Sequence, residues 1–457
     1  MTTARGTLDG QLRIDLASIT LAQRKAIIQV CSHTNPAYRN AARRGDPRAR
    51  FTPERISTAR VVEGELLVPR GALARVRAML GELALDDRTF ASPAVHLGQP
   101  RVALRPEQAR AARPLFAAGG GVLSAPTGSG KTNVALAVLA RLQQRALVIV
   151  PTKDLVVQWC DRARDVLGIE AGTLADGRAE LDRGLVIATP QGALACVVQL
   201  AARIGAVFVD ECHHVPAQTY RDLLDALPAR HRFGASATLS RSDGLEGMIA
   251  DYLGPVVARI DLADVAAAGH VVVPRYERVA TSFRFAYYGP PDWPDLLAAL
   301  AEDAERNRFI VETVVARAHE AGGALVLVQR VQHAEDLAAQ LRGRGIRASM
   351  LVGAMSSTQR KAALDGLRSG ALQVLVGTAL ADEGLDVVNL ARLFLAAPAK
   401  SAGKLAQRLG RIMRPSPDKG APLVVDFVDV EVGVLRHQAG KREQAIRSLL
   451  ASAGRAA

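Results

Sequence analysis

The sequence predicts an α/β protein with two successive parallel-sheet domains. Three observations carry this: short apolar runs alternate with amphipathic stretches, the alternation breaks once and then resumes, and the segment ahead of it lacks such runs. The expected fold class is therefore α/β, two tandem sheets flanked by helices behind a small, mostly helical N-terminal accessory domain.

Taken in order, Ile14 to about Leu85 reads as helix-like and strand-poor. It contains an arginine cluster, Arg39, Arg43, Arg44, Arg48 and Arg50, broken by Gly45 and Pro47 and hence expected as an exposed loop or helix end. Turn-formers at Ser92-Pro93 and Gly98-Gln99-Pro100 mark a boundary, so residues 1–95 form the accessory domain. The first α/β domain, 96–280, carries candidate strands at Val122–Ser124, Ala146–Val150, Leu185–Ala188, Ala206–Val209 and Phe233–Ser236. A loop with Tyr287-Tyr288-Gly289-Pro290-Pro291 interrupts it. The second, 281–430, carries Ala324–Val328, Ala348–Val352, Leu372–Val376, Leu393–Ala396 and Leu423–Phe427, and 431–457 reads as a helical tail.

Composition bounds the function. A chain of 457 residues with 49% hydrophobic content has room for about three domains of ordinary size, and no apolar run is long enough to span a bilayer. Four scattered cysteines and a start without an apolar signal core lead us to expect a cytoplasmic protein. The net charge of +13 favours a polyanionic partner, although an Ala- and Arg-rich composition alone can raise it.

The chemistry concentrates in two stretches. Ala125 to Thr132, APTGSGKT, fits the phosphate-loop pattern G-x-x-x-x-G-K-[ST] with Ala in its first position. Pro126, Thr127, Gly128, Ser129 and Gly130 would wrap backbone N–H groups around phosphate oxygens, Lys131 would reach the β and γ phosphates, and Thr132 would hold Mg²⁺. The helical spacing of Asn133 to Gln143 places a helix amino terminus behind the phosphates. The second stretch, FVDECHHVP from Phe208, raises a zinc question that its spacing answers. Contiguous ligands on a strand end converge poorly, and no other cysteine forms a C-x-x-C or C-x-x-H pair with Cys212. Asp210 is instead expected to hold Mg²⁺ through water and Glu211 to orient and deprotonate the attacking water. His213 is read as a coupling group and His214 as structural.

In the second domain, Gln407 to Pro415 (QRLGRIMRP) sets Arg408, Arg411 and Arg414 three apart in a helical context. Guanidinium groups stabilise charge on a transferring phosphoryl group; a solvated basic helix is the alternative.

The order of these stretches is similar to the motif series of superfamily 2 helicases. It runs Leu104-Arg105-Pro106-Glu107-Gln108, Ala125–Thr132, Val150-Pro151-Thr152-Lys153, Ala188-Thr189-Pro190-Gln191, Asp210-Glu211-Cys212-His213, Ser236-Ala237-Thr238, Gly377-Thr378 to Asp386, and Gln407–Arg414. Ser236 to Gly244, with Leu-Gly-Pro at 253–255, resembles the XPB-like and phage UvsW-like branch of DEAD/DEAH-type proteins. The resemblance implies two RecA-like domains that use ATP and Mg²⁺. It makes Arg105 and Gln108 readers of adenine, Arg411 and Arg414 arginine fingers, and Gln407 a neighbour of the γ phosphate. Ser236 and Thr238 become couplers, with Gly384 and Asp386 near the nucleotide, and Pro151, Thr152, Lys153, Thr189 and Thr378 contacts to nucleic-acid backbone. It also implies DNA as partner, 3′ to 5′ movement, and a nucleic-acid role for the arginines around Arg43 and Arg44, against a merely solvated surface. A fork or duplex translocase without sustained unwinding shares every motif, and a scaffold with a degenerate ATPase core is the rival from another class. No thumb-like insertion separates the two α/β domains, and the cysteines form no iron–sulfur set.

Overall fold

The structure is a computed structural model describing residues 3–175, 177–239, 241, 243–318, 322–378, 390–398, 409–410, 412–416 and 419–454. It divides into two compact units, Met1–Ala125 with Gly130–Ile260 and Pro126–Ser129 with Asp261–Ala457.

The first unit opens with strands, not with the mostly helical domain expected. β1 (Ala4–Leu8), β2 (Gln11–Asp15), β5 (Arg60–Val62), β6 (Glu65–Pro69) and β7 (Leu83–Asp87) form a sheet in the order β5-β6-β2-β1-β7, and β3 (Ser32–Thr34) pairs with β4 (Arg55–Ser57) apart from it. The signal lies in two turns: Asp9-Gly10 joins β1 to β2, and Glu63-Gly64, both at positive φ (48° and 83°), closes the β5–β6 hairpin. Strands of three to five residues, with a single arginine in each of β1, β2 and β5, give too little periodicity to outweigh helix-forming composition. Helices Leu21–Val30 and Leu73–Leu80 cover one face, burying Leu12, Ile14, Ile27, Leu66, Val68 and Val76. Thr20 and Gln23 form a capping box at the first of these helices.

The same unit holds an eight-stranded sheet of β8 (Gly120–Ser124), β9 (Ala146–Ile149), β10 (Gly172–Ala175), β11 (Arg178–Ala179), β12 (Leu185–Ala188), β13 (Ala206–Asp210), β14 (His231–Ser236) and β15 (Val256–Arg259). Its order is β11-β10-β12-β9-β13-β14-β8-β15, and only the β10–β11 pair is antiparallel. Central strands such as Ala146–Ile149 are buried at every residue because helices cover both faces, which is why they read as continuous apolar runs. The functional consequence is the neighbourhood β13-β14-β8. Register pairs Asp210 with Ala235 and Ser236 with Ser124, so the loops after three separate strands open side by side at the carboxyl edge.

The second unit is a six-stranded parallel sheet of β16 (Arg275–Thr281), β17 (Gly323–Val328), β18 (Ala348–Leu351), β19 (Val374–Thr378), β20 (Leu390–Leu395) and β21 (Leu423–Asp429), in the order β16-β21-β20-β17-β19-β18. The sequence reading ends the first domain at 280. β16 instead pairs along its whole length with β21; it is mostly exposed or half-buried and carries Arg275, Glu277 and Arg278, so it lacks the apolar run of its neighbours. A helix, Gly433–Gly454, closes the chain and is tied to β21 by Arg442 on Asp426 (2.8 Å).

Candidate active site

The phosphate-loop residues join β8 to the helix Lys131–Leu142. Gly128 (φ 86°) and Gly130 (φ 79°) take left-handed conformations that only glycine adopts freely. At Gly130 space is also short, because an added Cβ would collide with the Gln108 amide. Ser129 is buried and donates from Oγ to the Pro126 carbonyl (2.7 Å), which pins the turn. Gln108, itself buried, accepts from the Arg105 N–H (3.0 Å) at the start of helix Pro106–Ala118, and Arg105 pairs with Glu107 (3.0 Å). The two residues expected to read a base thus stand beside the loop.

Lys131 Nζ donates to Glu211 Oε1 at 3.0 Å. Burial opposes the lysine charge, but the Glu211 and Asp210 carboxylates outweigh it and raise its pKa. Burial likewise opposes ionisation of Glu211, and Lys131 together with His213 overcomes it and holds that carboxyl low. Asp210, at the end of β13, is pushed up by burial despite Lys131. Its Oδ2 accepts from Trp159 Nε1 (2.8 Å) and its Oδ1 from the Glu211 N–H (2.9 Å). Glu211 adopts φ 47°, ψ 51°, a left-handed conformation costing a non-glycine residue on the order of 1 kcal/mol or more. That bend turns its side chain from the strand towards Lys131.

From Glu211 the contacts run on. His213 Nδ1 lies 3.3 Å from Glu211 Oε2 and 3.0 Å from Ser236 Oγ, and Ser236 Oγ donates to the Thr238 carbonyl (2.9 Å). The ring of His214 packs on His213 at 4.3 Å between centroids. Arg241 donates to the His213 carbonyl and binds Asp243 (2.8 Å). Sequence reasoning missed both Arg241 and Trp159. Trp159 is one of two tryptophans in the chain and falls on an otherwise amphipathic helix, the one available signal.

The remaining candidates are placed by their local structure. Thr152 and Thr189 are helix N-caps, accepting from Leu155 N (3.4 Å) and Gly192 N (3.2 Å), with Pro151 and Lys153 flanking the first. Thr378 ends β19 and is buried, and Arg414 follows a short helical turn whose carbonyls at Ile412 and Arg414 receive Lys419 Nζ. Burial and the Arg414 charge pull Lys419 down to about 8. Arg43 and Arg44 are exposed at the end of helix Pro36–Arg43. Gly384, Asp386, Gln407 and Arg411 lie outside the described residues.

Among the described residues no cluster of three or more His, Cys, Asp or Glu could hold a metal by itself. Cys212 is fully buried in the sheet core, where burial pushes its thiol up. A hard cation brought in on phosphate oxygens suits the oxygen donors present, Thr132 and Asp210.

Residues 101–241 match the family described as the Type III restriction enzyme res subunit, and 305–416 match the helicase conserved C-terminal domain. The DNA 3′-5′ helicase XPB of Kineococcus radiotolerans is 30% identical over 77% of this chain, which spans 65% of that protein. The DNA 3′-5′ translocase XPB2 of Sulfurisphaera tokodaii is 24% identical over 75% of this chain and 85% of its own length. In fold, the chain is similar to Dbp5 of S. cerevisiae bound to RNA and ADP BeF3, with a TM-score of 0.56 and 16% identity over 76% of this chain and 88% of that one. The two matched domains and these relatives together support a superfamily 2 helicase of XPB-like type, and the fold is that of two RecA-like domains.

Proposed function

We propose that the chain is an ATP-driven motor that translocates on DNA and unwinds or remodels it. The observation that carries the ATPase reading is the linked set Lys131–Glu211–His213–Ser236, assembled from three loops at one sheet edge. Phosphate oxygens arriving in the loop compete with Glu211 for the Lys131 ammonium. Released from that pair, Glu211 is a stronger base and accepts a proton from water attacking the γ phosphorus as the bond to the β-phosphate oxygen breaks. Mg²⁺, held through Thr132 and Asp210, would supply charge neutralisation on the phosphates. Ser236 Oγ also donates directly to Glu211 Oε2 (3.3 Å) and is bonded to Thr238, so a change in hydrogen bonding at Glu211 reaches the strand-to-loop segment after β14.

DNA is favoured over RNA by the relatives' names, and the 3′-to-5′ direction is carried over from them. Among the described residues no helix is long and apolar enough to cross a membrane. The test is ATP turnover measured in parallel with single-stranded DNA, forked DNA and RNA, together with strand separation on the fork. Strongest stimulation by RNA would overturn the DNA reading. Stimulation by DNA without strand separation would leave a translocase.

A further inference from the structure

Between Cys31 and Thr58 the N-terminal sheet puts out an arm. β3 and β4 form its stalk, in the register Ser32↔Ser57 and Thr34↔Arg55, and the helix Pro36–Arg43 and the turn Pro47–Phe51 form its tip. Asn35 braces the tip, accepting from Ala37 N (3.0 Å) and donating to the Pro53 carbonyl (2.8 Å). Arg43, Arg44, Arg48 and Arg50 are exposed there, and Asp46 answers only Arg48 directly (2.7 Å). Phe51 is 76% exposed, with the Arg50 guanidinium 4.7 Å from its ring centroid. A rigid aromatic among exposed arginines is the combination that stacks an unpaired base while holding its phosphates.

The root of the arm is fixed with unusual firmness. Asp251, 0% exposed in the helix Gly247–Leu253, accepts from His33 Nε2 (2.6 Å), Thr58 Oγ1 (2.7 Å) and Arg75 Nη2 (2.6 Å). A buried carboxylate carries a desolvation cost that plain apolar packing would avoid, and these donors fix one geometry in return. Arg39 lies against Gly244, where an added Cβ would stand 3.1 Å from Nη1, and the His33 ring lies against Gly247, where an added Cβ would stand 2.7 Å from Cε1. The segment Gly244–Asp251 therefore runs along the arm. At its start the Gly244 N–H donates to the Arg241 carbonyl (3.2 Å); Arg241 in turn holds the His213 carbonyl, and His213 faces Glu211 and Ser236.

We propose that the arm senses single-stranded or forked DNA and that its seat on Gly244–Asp251 passes occupancy to the ATPase site through Arg241 and His213. This rests on the reading of the chain as a nucleic-acid-dependent ATPase. Phosphates bind at Arg43, Arg44 and Arg48 and an unpaired base stacks on Phe51. The rigid stalk transmits the load to Asp251, and the loop carrying Arg241 adjusts the position of His213 against Glu211.

The full chain tests this with two sets of variants, measuring basal turnover, DNA-stimulated turnover and DNA affinity for each. Phe51→Ala should weaken binding of forked or single-stranded DNA at least about fivefold and leave blunt duplex unchanged. His33→Ala and Asp251→Asn keep the tip intact; they should retain basal turnover and DNA affinity within about threefold while losing most of the stimulation. Parallel loss of affinity and basal turnover in Asp251→Asn would report damage to the fold, and His33→Ala, at the edge of the cluster, then decides. Full stimulation in His33→Ala with the wild type normally stimulated overturns the relay and leaves the proposed function standing. A wild type that no nucleic acid stimulates overturns the reading beneath it, and the relay with it. Unchanged DNA binding in Phe51→Ala and in Arg43→Gln/Arg44→Gln/Arg48→Gln would assign the tip to a protein partner.

Discussion

β13 and β21 are both buried strands that end in aspartate, AVFVD and LVVDFVD, and they do opposite things with it. At the end of β21, Asp429 is closed by Arg306 through Nε (2.6 Å) and Nη2 (3.2 Å) and by Thr281 Oγ1 (2.6 Å), while Arg306 also donates to the Ala396 carbonyl (2.8 Å). Asp426 is closed in the same manner by Arg442 and Tyr276. These are planar guanidinium forks on carboxylates, with no conformational freedom to spare. At the end of β13 the cation is a lysine on a glycine loop, a point charge on a flexible stem, and the carboxylate it meets stands on strained backbone. Burial and pairing of charge are common to both places. What separates a working site from a scaffold is that its cation can exchange one anion for another.

That contrast is broken most directly at Lys131 and Glu211. Lys131→Ala should reduce ATP turnover to background while nucleic-acid binding without nucleotide survives. Glu211→Gln should bind ATP and hydrolyse it on the order of 10²-fold or more slowly, because the amide keeps the shape and loses the base. Nucleotide affinity from fluorescent ATP titration separates the two, and a Glu211→Gln protein unable to bind ATP would remove the base assignment. Arg414 is given a transition-state role by the family resemblance. Arg414→Ala should slow turnover by about 10³-fold with little change in ATP affinity. Near-normal turnover would make it a solvated basic residue.

The scaffold side of the comparison predicts an effect of another kind. Asp429→Ala strands the buried Arg306, and losing one partner of such a pair costs about 3–5 kcal/mol of stability. Denaturant melts of the full chain read this as a lower midpoint for the transition of the second unit. A midpoint within error of wild type would mean that water replaces the aspartate, and the closed fork would not be the scaffold described.

Legibility in the sequence followed the same divide. Buried parallel strands announce themselves as apolar runs, and the phosphate loop announces itself because glycine and lysine at fixed spacing have few other uses. The N-terminal sheet stayed hidden although Asp9-Gly10 and Glu63-Gly64 mark its hairpins, since its strands are short and carry arginine. Thr152 and Thr189 show a different limit: the sequence marks them as important without saying that each caps a helix. The buried cluster on Asp251 was out of reach, because its partners lie 176 to 218 residues away and no local pattern joins them.

The smallest predicted effect sharpens the comparison at Asp210, the one carboxylate of the site that is held as firmly as Asp429. Trp159 Nε1 donates to its Oδ2, and the indole packs on Phe208 with ring centroids 5.8 Å apart, so the donor is fixed from behind. A group that orients a metal-binding carboxylate acts on metal affinity more than on chemistry, and removing such a group typically costs about 10–100-fold in affinity or activity. Trp159→Phe keeps most of the packing and deletes only the donor. It should raise the Mg²⁺ concentration for half-maximal turnover by roughly tenfold, with turnover near wild type once Mg²⁺ is saturating. A loss that saturating Mg²⁺ does not recover would place the defect in the fold around β13. An unchanged Mg²⁺ dependence would mean that the Glu211 N–H alone orients Asp210.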